Sequence, residues 1–197
     1  CEWGSFGLVQ ATLDASAQML ADFPQASHIL LASGSCLPIR PVAALQAHLA
    51  QNPTTDFIES VTTADVGWTI GGLNEERFTL RFPFAWKRQR RLFDGYVTLQ
   101  RFFRFRRRLP KDLVPHLGSQ WWCLRRRTVE AVLQFIRQRR DVMRFFRTTW
   151  IPDETFFQTL VTHLVPEREI RARPVTFLMF TDYGMPATFY DDHYDLL

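Results

Sequence analysis

Apolar positions Leu8, Val9, Thr12, Leu13, Met19 and Leu20 recur at helical spacing, and Phe23-Pro24 closes that pattern. His28-Ile29-Leu30-Leu31-Ala32 is a short apolar run closed by Ser33-Gly34-Ser35, which predicts a buried strand followed by a loop. Pro41 opens a second helix with Val42, Leu45 and Leu49 on one face, and Asp56-Phe57-Ile58-Glu59 reads as a second short strand. Strand, loop, helix and strand in that order predict an α/β fold whose sheet has parallel members.

The pattern weakens from Val61 to Pro115. Gly71-Gly72 marks a turn, Phe78 to Phe84 alternates like an edge strand, and a basic aromatic stretch follows. Order returns with a strand at Ser119 to Leu124. Thr128 is placed to cap a long helix running to about Phe146. Pro152 takes the first position of another helix, with Phe156, Phe157, Leu160 and Leu164 on its apolar face, and Val175 to Phe180 reads as a last strand. There is no internal repeat and no low-complexity linker.

With 197 residues, 46% of them hydrophobic, the chain can bury one substantial core, so residues 1–197 read as a single domain. Charged residues at 22% exclude a disordered class, and no apolar run approaches the roughly 20 residues of a membrane span. The chain opens on Cys1-Glu2-Trp3, without a Met or a charged leader, and stops at Leu196-Leu197; it reads as a fragment truncated at both ends. Cys1, Cys36 and Cys123 are too few and scattered for a disulfide framework or a zinc site, so a reducing cytoplasm is the expected setting. The net charge of +4 hides a concentration of arginine at 87–91, 101–108, 125–127 and 137–140. Such a block suits nucleic acid, an anionic membrane face or a phosphorylated substrate.

Several chemistries are missing. The sequence has no Gly-x-Ser-x-Gly, His-Glu-x-x-His, Walker-type loop or dinucleotide Gly-x-Gly-x-x-Gly. It also lacks Asp-x-Asp, the carboxylate pair many nucleotide-sugar transferases use to hold a metal on the diphosphate. Neither a metal nor a bound cofactor is expected. Trp150-Ile151-Pro152-Asp153-Glu154 is the most informative segment: proline sets a helix start, and the helix dipole should keep Asp153 and Glu154 ionised. A fixed carboxylate beside an aromatic suits proton removal from a sugar hydroxyl, although acids after such a proline are also ordinary capping chemistry. In Gly118-Ser119-Gln120-Trp121-Trp122 the tryptophans can stack on sugar faces or fill core. Ser33-Gly34-Ser35 follows a strand's carboxyl end, where α/β folds place ligands.

Taken in order, these pieces resemble the Core-2/I-branching β-1,6-N-acetylglucosaminyltransferase family, with the proteoglycan-initiating xylosyltransferases similar over the same pieces. The resemblance rests on Trp3-Gly4-Ser5-Phe6 with Val9 to Leu13, Leu30 to Ile39 with its closing Pro-Ile, Phe57-Ile58-Glu59, Gly118 to Trp122, and Pro152-Asp153-Glu154. It implies an A-type glycosyltransferase fold, a partly parallel sheet flanked by helices. It further implies an inverting, metal-independent enzyme that moves a sugar, N-acetylglucosamine or xylose, from a UDP-sugar donor to a hydroxyl of a carbohydrate or glycoconjugate acceptor. Glu154 matches the family's catalytic base and Glu59 its acceptor-holding glutamate, and Arg77 falls where the family carries a basic acceptor or donor contact and is placed on the acceptor side. Trp121 and Trp122 would complete the acceptor side, with Ser33, Gly34 and Ser119 on the donor side. The family's uridine-binding strands would precede Cys1, and its basic pair for the diphosphate is not recognisable in Thr176 to Leu197. The disulfide cysteines of the secreted animal enzymes are missing too. A bacterial cytoplasmic relative making surface polysaccharide, peripheral at the inner membrane, therefore fits better than a resident of the Golgi lumen.

The competing reading is a basic, non-catalytic domain that binds nucleic acid or an anionic membrane. Arg101-Phe102-Phe103-Arg104-Phe105-Arg106 offers both phosphate contacts and stacking faces. No recognised nucleic-acid module accompanies it, so nucleic acid is not an expected partner, whereas membrane contact is compatible with an enzyme.

Overall fold

The structure is a computed structural model that describes residues 3–65, 75–179 and 187–196, without the side chains of Asp191 and Tyr194. Its elements run α1 (Phe6–Asp22), β1 (His28–Leu30), α2 (Val42–Gln51), β2 (Asp56–Ile58), β3 (Val61–Thr62), α3 (Glu76–Thr79) and α4 (Arg90–Phe102). They continue with β4 (His116–Leu117), β5 (Trp122–Arg125), α5 (Arg126–Gln138), α6 (Arg140–Phe146), α7 (Phe156–Leu164) and β6 (Ile170–Arg171). Short 3-10 turns occupy Pro152–Glu154, Glu167–Glu169 and Asp191–Leu196.

The main sheet has the order β1-β5-β2-β6, and helices flank it. The partly parallel sheet is as expected, but its parallel pair is β2 with β6. β1 and β2 run the same way without touching, because β5 lies between them antiparallel to both. Cys123 faces Leu30 on one side and Phe57 on the other. β3 and β4 form a separate antiparallel pair.

α1 begins where the Ser5 side chain accepts from the Gly7 N–H at 3.4 Å, and buries Val9 and Leu13. It ends at Phe23 ahead of Pro24, as expected. Arg126 donates to the carbonyls of Leu20 and Phe23 at 2.8 and 2.9 Å, satisfying acceptors that every helix end leaves open. α2 covers the sheet loosely: Val42 is exposed, and Leu45 and Leu49 are half-buried.

Four sequence expectations need correction. Phe78 to Phe84 is not a strand: Phe78 and Thr79 belong to α3, and 80–84 lies outside any helix or strand. The buried alternation is real, since Phe78, Leu80 and Phe82 all point inward. A side chain stands in for the missing strand partner. The Gln100 amide accepts from the Arg81 N–H and donates to the Arg81 carbonyl, both at 2.8 Å. Thr128 does not cap a helix; it sits in the first turn of α5 and donates to Asp56 at 2.7 Å. The long helix is broken at Arg139, whose backbone leaves the helical region at φ −110°, ψ 71° while its guanidinium grips Asp112 and Asp141. Residues 175–179 form no strand; the last strand of the sheet is β6, earlier in the chain. Phe180 and the Gly71-Gly72 turn lie outside the described residues.

One buried ion cluster locks the sheet. Asp56, fully buried on β2, accepts from the Arg125 backbone N–H at 2.7 Å, from its guanidinium at 2.5 and 3.0 Å, and from Thr128. The far side of Arg125 donates to Glu169 at 2.8 Å, which ties down the turn leading into β6. A carboxylate with this many donors offsets the cost of burying its charge. The principal core gathers Trp122, Phe146, Phe156, Phe157 and Leu160 between sheet and helices. A second, smaller core joins Leu80 and Phe82 to Phe93 and Val97 of α4. Cys36 and Cys123 are free thiols, and burial pushes the Cys123 thiol up to about 12.

Candidate active site

The carboxyl ends of β1 and β2 and the amino end of β5 meet at one edge of the sheet, because β5 is antiparallel to both neighbours. Ser33 follows β1, Glu59 follows β2, and Ser119 to Trp121 lead into β5, so three separated sequence pieces converge there. Trp121 therefore reaches this edge from its strand's start.

Gly118 is the pivot. A Cβ at this position would stand 2.0 Å from the Glu59 carbonyl oxygen, so only glycine lets the two backbones pass. Its N–H donates to the Glu154 carbonyl at 3.0 Å. The next N–H, of Ser119, donates to the Glu59 carboxylate at 2.8 Å, and the Ser119 hydroxyl accepts from the Trp121 N–H at 3.2 Å. The Ser119 carbonyl accepts from buried Gln158 at 2.7 Å. Glu59 is half-buried, and no arginine or lysine pairs with it among the described residues.

The Pro152–Glu154 turn is held from the other side by the start of the chain. Ile151 is forced to φ 47°, ψ 62°, a left-handed conformation that costs a β-branched residue on the order of 1–3 kcal/mol. Its N–H donates to the Gly4 carbonyl at 3.3 Å. Gly4, itself at φ 74°, leaves room for Trp150, whose ring would lie 2.9 Å from a Cβ there. Trp3 packs edge-on against Trp150 at 5.4 Å. The Trp3-Gly4-Ser5 piece thus supports the backbone that carries Asp153 and Glu154.

Glu154 accepts from the Arg77 guanidinium at 2.7 Å, with side-chain exposures of 29% for the acid and 6% for the arginine. Beside that contact Glu154 keeps an open face. Its second oxygen, Oε1, receives no hydrogen bond among the described residues. Arg77 is braced in turn by Arg107, which donates to the Arg77 and Phe145 carbonyls and to the Thr148 and Thr149 hydroxyls, at 2.8 to 2.9 Å. Arg107 lies 3.9 Å over the Phe145 ring. Burial without a carboxylate partner pulls its guanidinium down to about 9, which still leaves it charged at neutral pH.

At Asp153 the turn does not favour the ionised form as expected, although the acid is still mostly ionised at neutral pH. Burial, reinforced by the neighbouring Glu154 charge, raises its carboxyl to about 6. The two acids stand in a 3-10 turn ahead of α7, so no α-helical first turn opposes that burial. Asp153 borders a cavity of about 250 Å³, together with Leu31, Ser33, Gln120, Trp121 and Phe157. Its Oδ1 is buried and has no hydrogen-bond partner among the described residues.

Of the sequence-predicted site residues, Ser33 and Trp121 line this cavity, while Glu59, Ser119, Arg77 and Glu154 are joined by the bonds above rather than lining it. Gly34 stands in open space on the exposed loop after β1. Trp122 turns the other way: it is 1% exposed and its ring packs on Phe157 at 5.0 Å, in the core rather than the cavity. Gln120, Gln158 and Arg107 were not picked out from the sequence. Gln158 lies in α7, four residues after Glu154 of the preceding turn, and that proximity in sequence is the available signal. The described residues hold no group of three or more His, Cys, Asp or Glu side chains arranged to grip a metal.

The family model for the Core-2/I-branching enzymes matches residues 1–189. A search of curated proteins gave no match.

Proposed function

The chain belongs to the Core-2/I-branching enzyme family, a family of glycosyltransferases that move a sugar from a nucleotide-sugar donor to a carbohydrate acceptor, and within it we propose an inverting transfer with Glu154 as the general base. The observation that carries this reading is the Glu154–Arg77 pair at 2.7 Å, beside the cavity that Asp153 and Trp121 border. Arg77 occupies one carboxylate oxygen and leaves the other able to take a proton.

The acceptor hydroxyl gives its proton to Glu154 Oε1 as its oxygen forms a bond to the anomeric carbon. The bond from that carbon to the donor diphosphate breaks on the opposite face, so the configuration inverts and the nucleoside diphosphate leaves with the electron pair. Arg77 holds the carboxylate in place for the step. Glu59, steadied by the Ser119 N–H, accepts hydrogen bonds from acceptor hydroxyls, and Trp121 offers an apolar face to the sugar ring. Ser33, Gly34 and Ser119 stand on the donor side. The donor is read as a UDP-sugar carrying N-acetylglucosamine or xylose, and no divalent metal takes part, in keeping with a sequence that has no Asp-x-Asp pair.

In the natural full-length protein, Glu154→Gln should lower turnover by on the order of 10²-fold or more while leaving donor affinity nearly intact. Turnover within a few-fold of wild type removes Glu154 as the base. Transfer should also continue undiminished in excess EDTA; a strict need for Mn²⁺ or Mg²⁺ after chelation would show that the leaving group depends on a metal.

A further inference from the structure

α4 buries one apolar face and carries further exposed apolar side chains among its charged ones. Phe93, Val97 and Gln100 face inward, the first two against Leu80 and Phe82. At 100° per residue, Leu99 and Phe102 fall on the outer side together with Arg91, Gly95 and Thr98, Leu92 stands at its margin, and Phe103 follows the helix as its cap. All of these are exposed, with Phe102 at 78% and Phe103 at 69%. A clustered, exposed apolar surface of this kind marks an interaction site.

The end of this strip is shaped rather than frayed. Arg104 turns left-handed at φ 52°, its N–H donates to the Arg101 carbonyl at 3.1 Å, and the Phe105 N–H donates to the Gln100 carbonyl at 2.8 Å. Gln100 is itself clamped onto Arg81. The turn therefore holds Phe102 and Phe103, in edge-to-face contact at 5.1 Å, out at the tip. Charge along this tract has one sign. Lys87 to Lys111 contains ten lysines and arginines against a single acid, Asp94, which is occupied by Arg90. Arg107 is buried and Arg101 is spent on Glu76, but Arg88, Arg91, Arg104, Arg106, Arg108 and Lys111 remain exposed.

We propose that the outer face of α4 and its Phe102-Phe103 tip dock the enzyme on an anionic membrane surface. The phenyl rings enter the boundary between headgroups and acyl chains, and the surrounding arginines bind the acidic headgroups. The apolar strip favours lipid over nucleic acid, because nucleic acid would be met by rings lying in a basic groove, whereas here bare phenyl and leucine groups project from a helix end. This docking is independent of the catalytic reading, since it would place the active site at a membrane whatever sugar is transferred.

The test is co-sedimentation of the natural full-length protein with vesicles of phosphatidylcholine alone and with about a third phosphatidylglycerol, at low and high salt. Retention is expected on the anionic vesicles only, weakened by salt. The double variant Phe102→Ser/Phe103→Ser should lower the partition coefficient by roughly tenfold or more, as loss of two inserted rings demands, with unchanged thermal unfolding because both rings are exposed. Arg91→Glu/Arg104→Glu should do the same. Equal binding to neutral vesicles, no vesicle binding, or salt-dependent binding that ignores the phenylalanines would each overturn the proposal. So would preferential retention of a DNA or RNA oligonucleotide, or self-association in solution abolished by the phenylalanine variant.

Discussion

Replacing Asp153 by Asn should stabilise the protein at neutral pH and leave it unchanged in acid. Folding raises this carboxyl from 3.8 to about 6, chiefly by burial and secondarily through the Glu154 charge. Between those values the folded chain holds the proton more tightly than the unfolded chain does. The cost of Asp153 is therefore absent below pH about 4, grows as the pH rises, and is complete above pH about 6. A rise of about two units corresponds to roughly 3 kcal/mol, and water entering the adjoining cavity lowers this toward about 1 kcal/mol. For a chain of this size each kcal/mol moves Tm by about 2–4 °C, so the variant should melt roughly 3–10 °C higher at pH 8. Asn keeps the shape and removes the charge. Thermal unfolding of both proteins from pH 4 to pH 8 is the assay, and the two melting curves should converge at the acid end. A difference that does not vary with pH, or a variant less stable at pH 8, would refute the argument that an unpartnered buried charge is being carried for the site.

Other outcomes follow from the bonds around Glu154. Arg107→Met leaves the buried Arg77 carbonyl without its donor, while the Phe145 carbonyl keeps the Thr148 and Thr149 donors, and should cost about 1–3 kcal/mol in urea unfolding; a loss well below about 1 kcal/mol would mean the brace is dispensable. Gly118→Ala drives a methyl to 2.0 Å from the Glu59 carbonyl, so the two chains must separate. It should lower Tm by several degrees, about 1–3 kcal/mol of overpacking, and raise the acceptor KM; wild-type values of both would show that the close approach is not needed.

Much of this architecture was legible one segment at a time. α1, β1, β2 and α7 follow from local period and punctuation: an apolar stripe ended by Phe23-Pro24, two short apolar runs, and Pro152 ahead of Phe156 and Phe157. These signals act over a few residues, so the chain carries them without help from the rest of the fold. The motif pieces were legible for the same reason, and the structure shows why each residue type is required. Gly4 makes room for Trp150, Gly118 lets Glu59 pass, and the Ser119 N–H holds the Glu59 carboxylate.

What the tertiary structure alone decided are the pairings between distant residues. Nothing in the local pattern of Trp122 to Arg125 tells that this strand inserts antiparallel between β1 and β2, yet that insertion brings Ser33, Glu59 and Trp121 to one edge. The Phe78 to Phe84 alternation predicted a strand because burial alternates there, but the partner is one amide, Gln100, 19 residues on from Arg81. The arginines show the gap most clearly. In the sequence they form one basic surface, whereas in the fold Arg125 binds Asp56 inside the sheet, Arg126 caps α1, and Arg107 supports Arg77 beneath Glu154. An arginine carries the same charge in all these places. Whether it faces water, a helix end or a buried carboxylate depends on which acceptors the packed chain brings within 3 Å of it, and that is settled only when the elements meet.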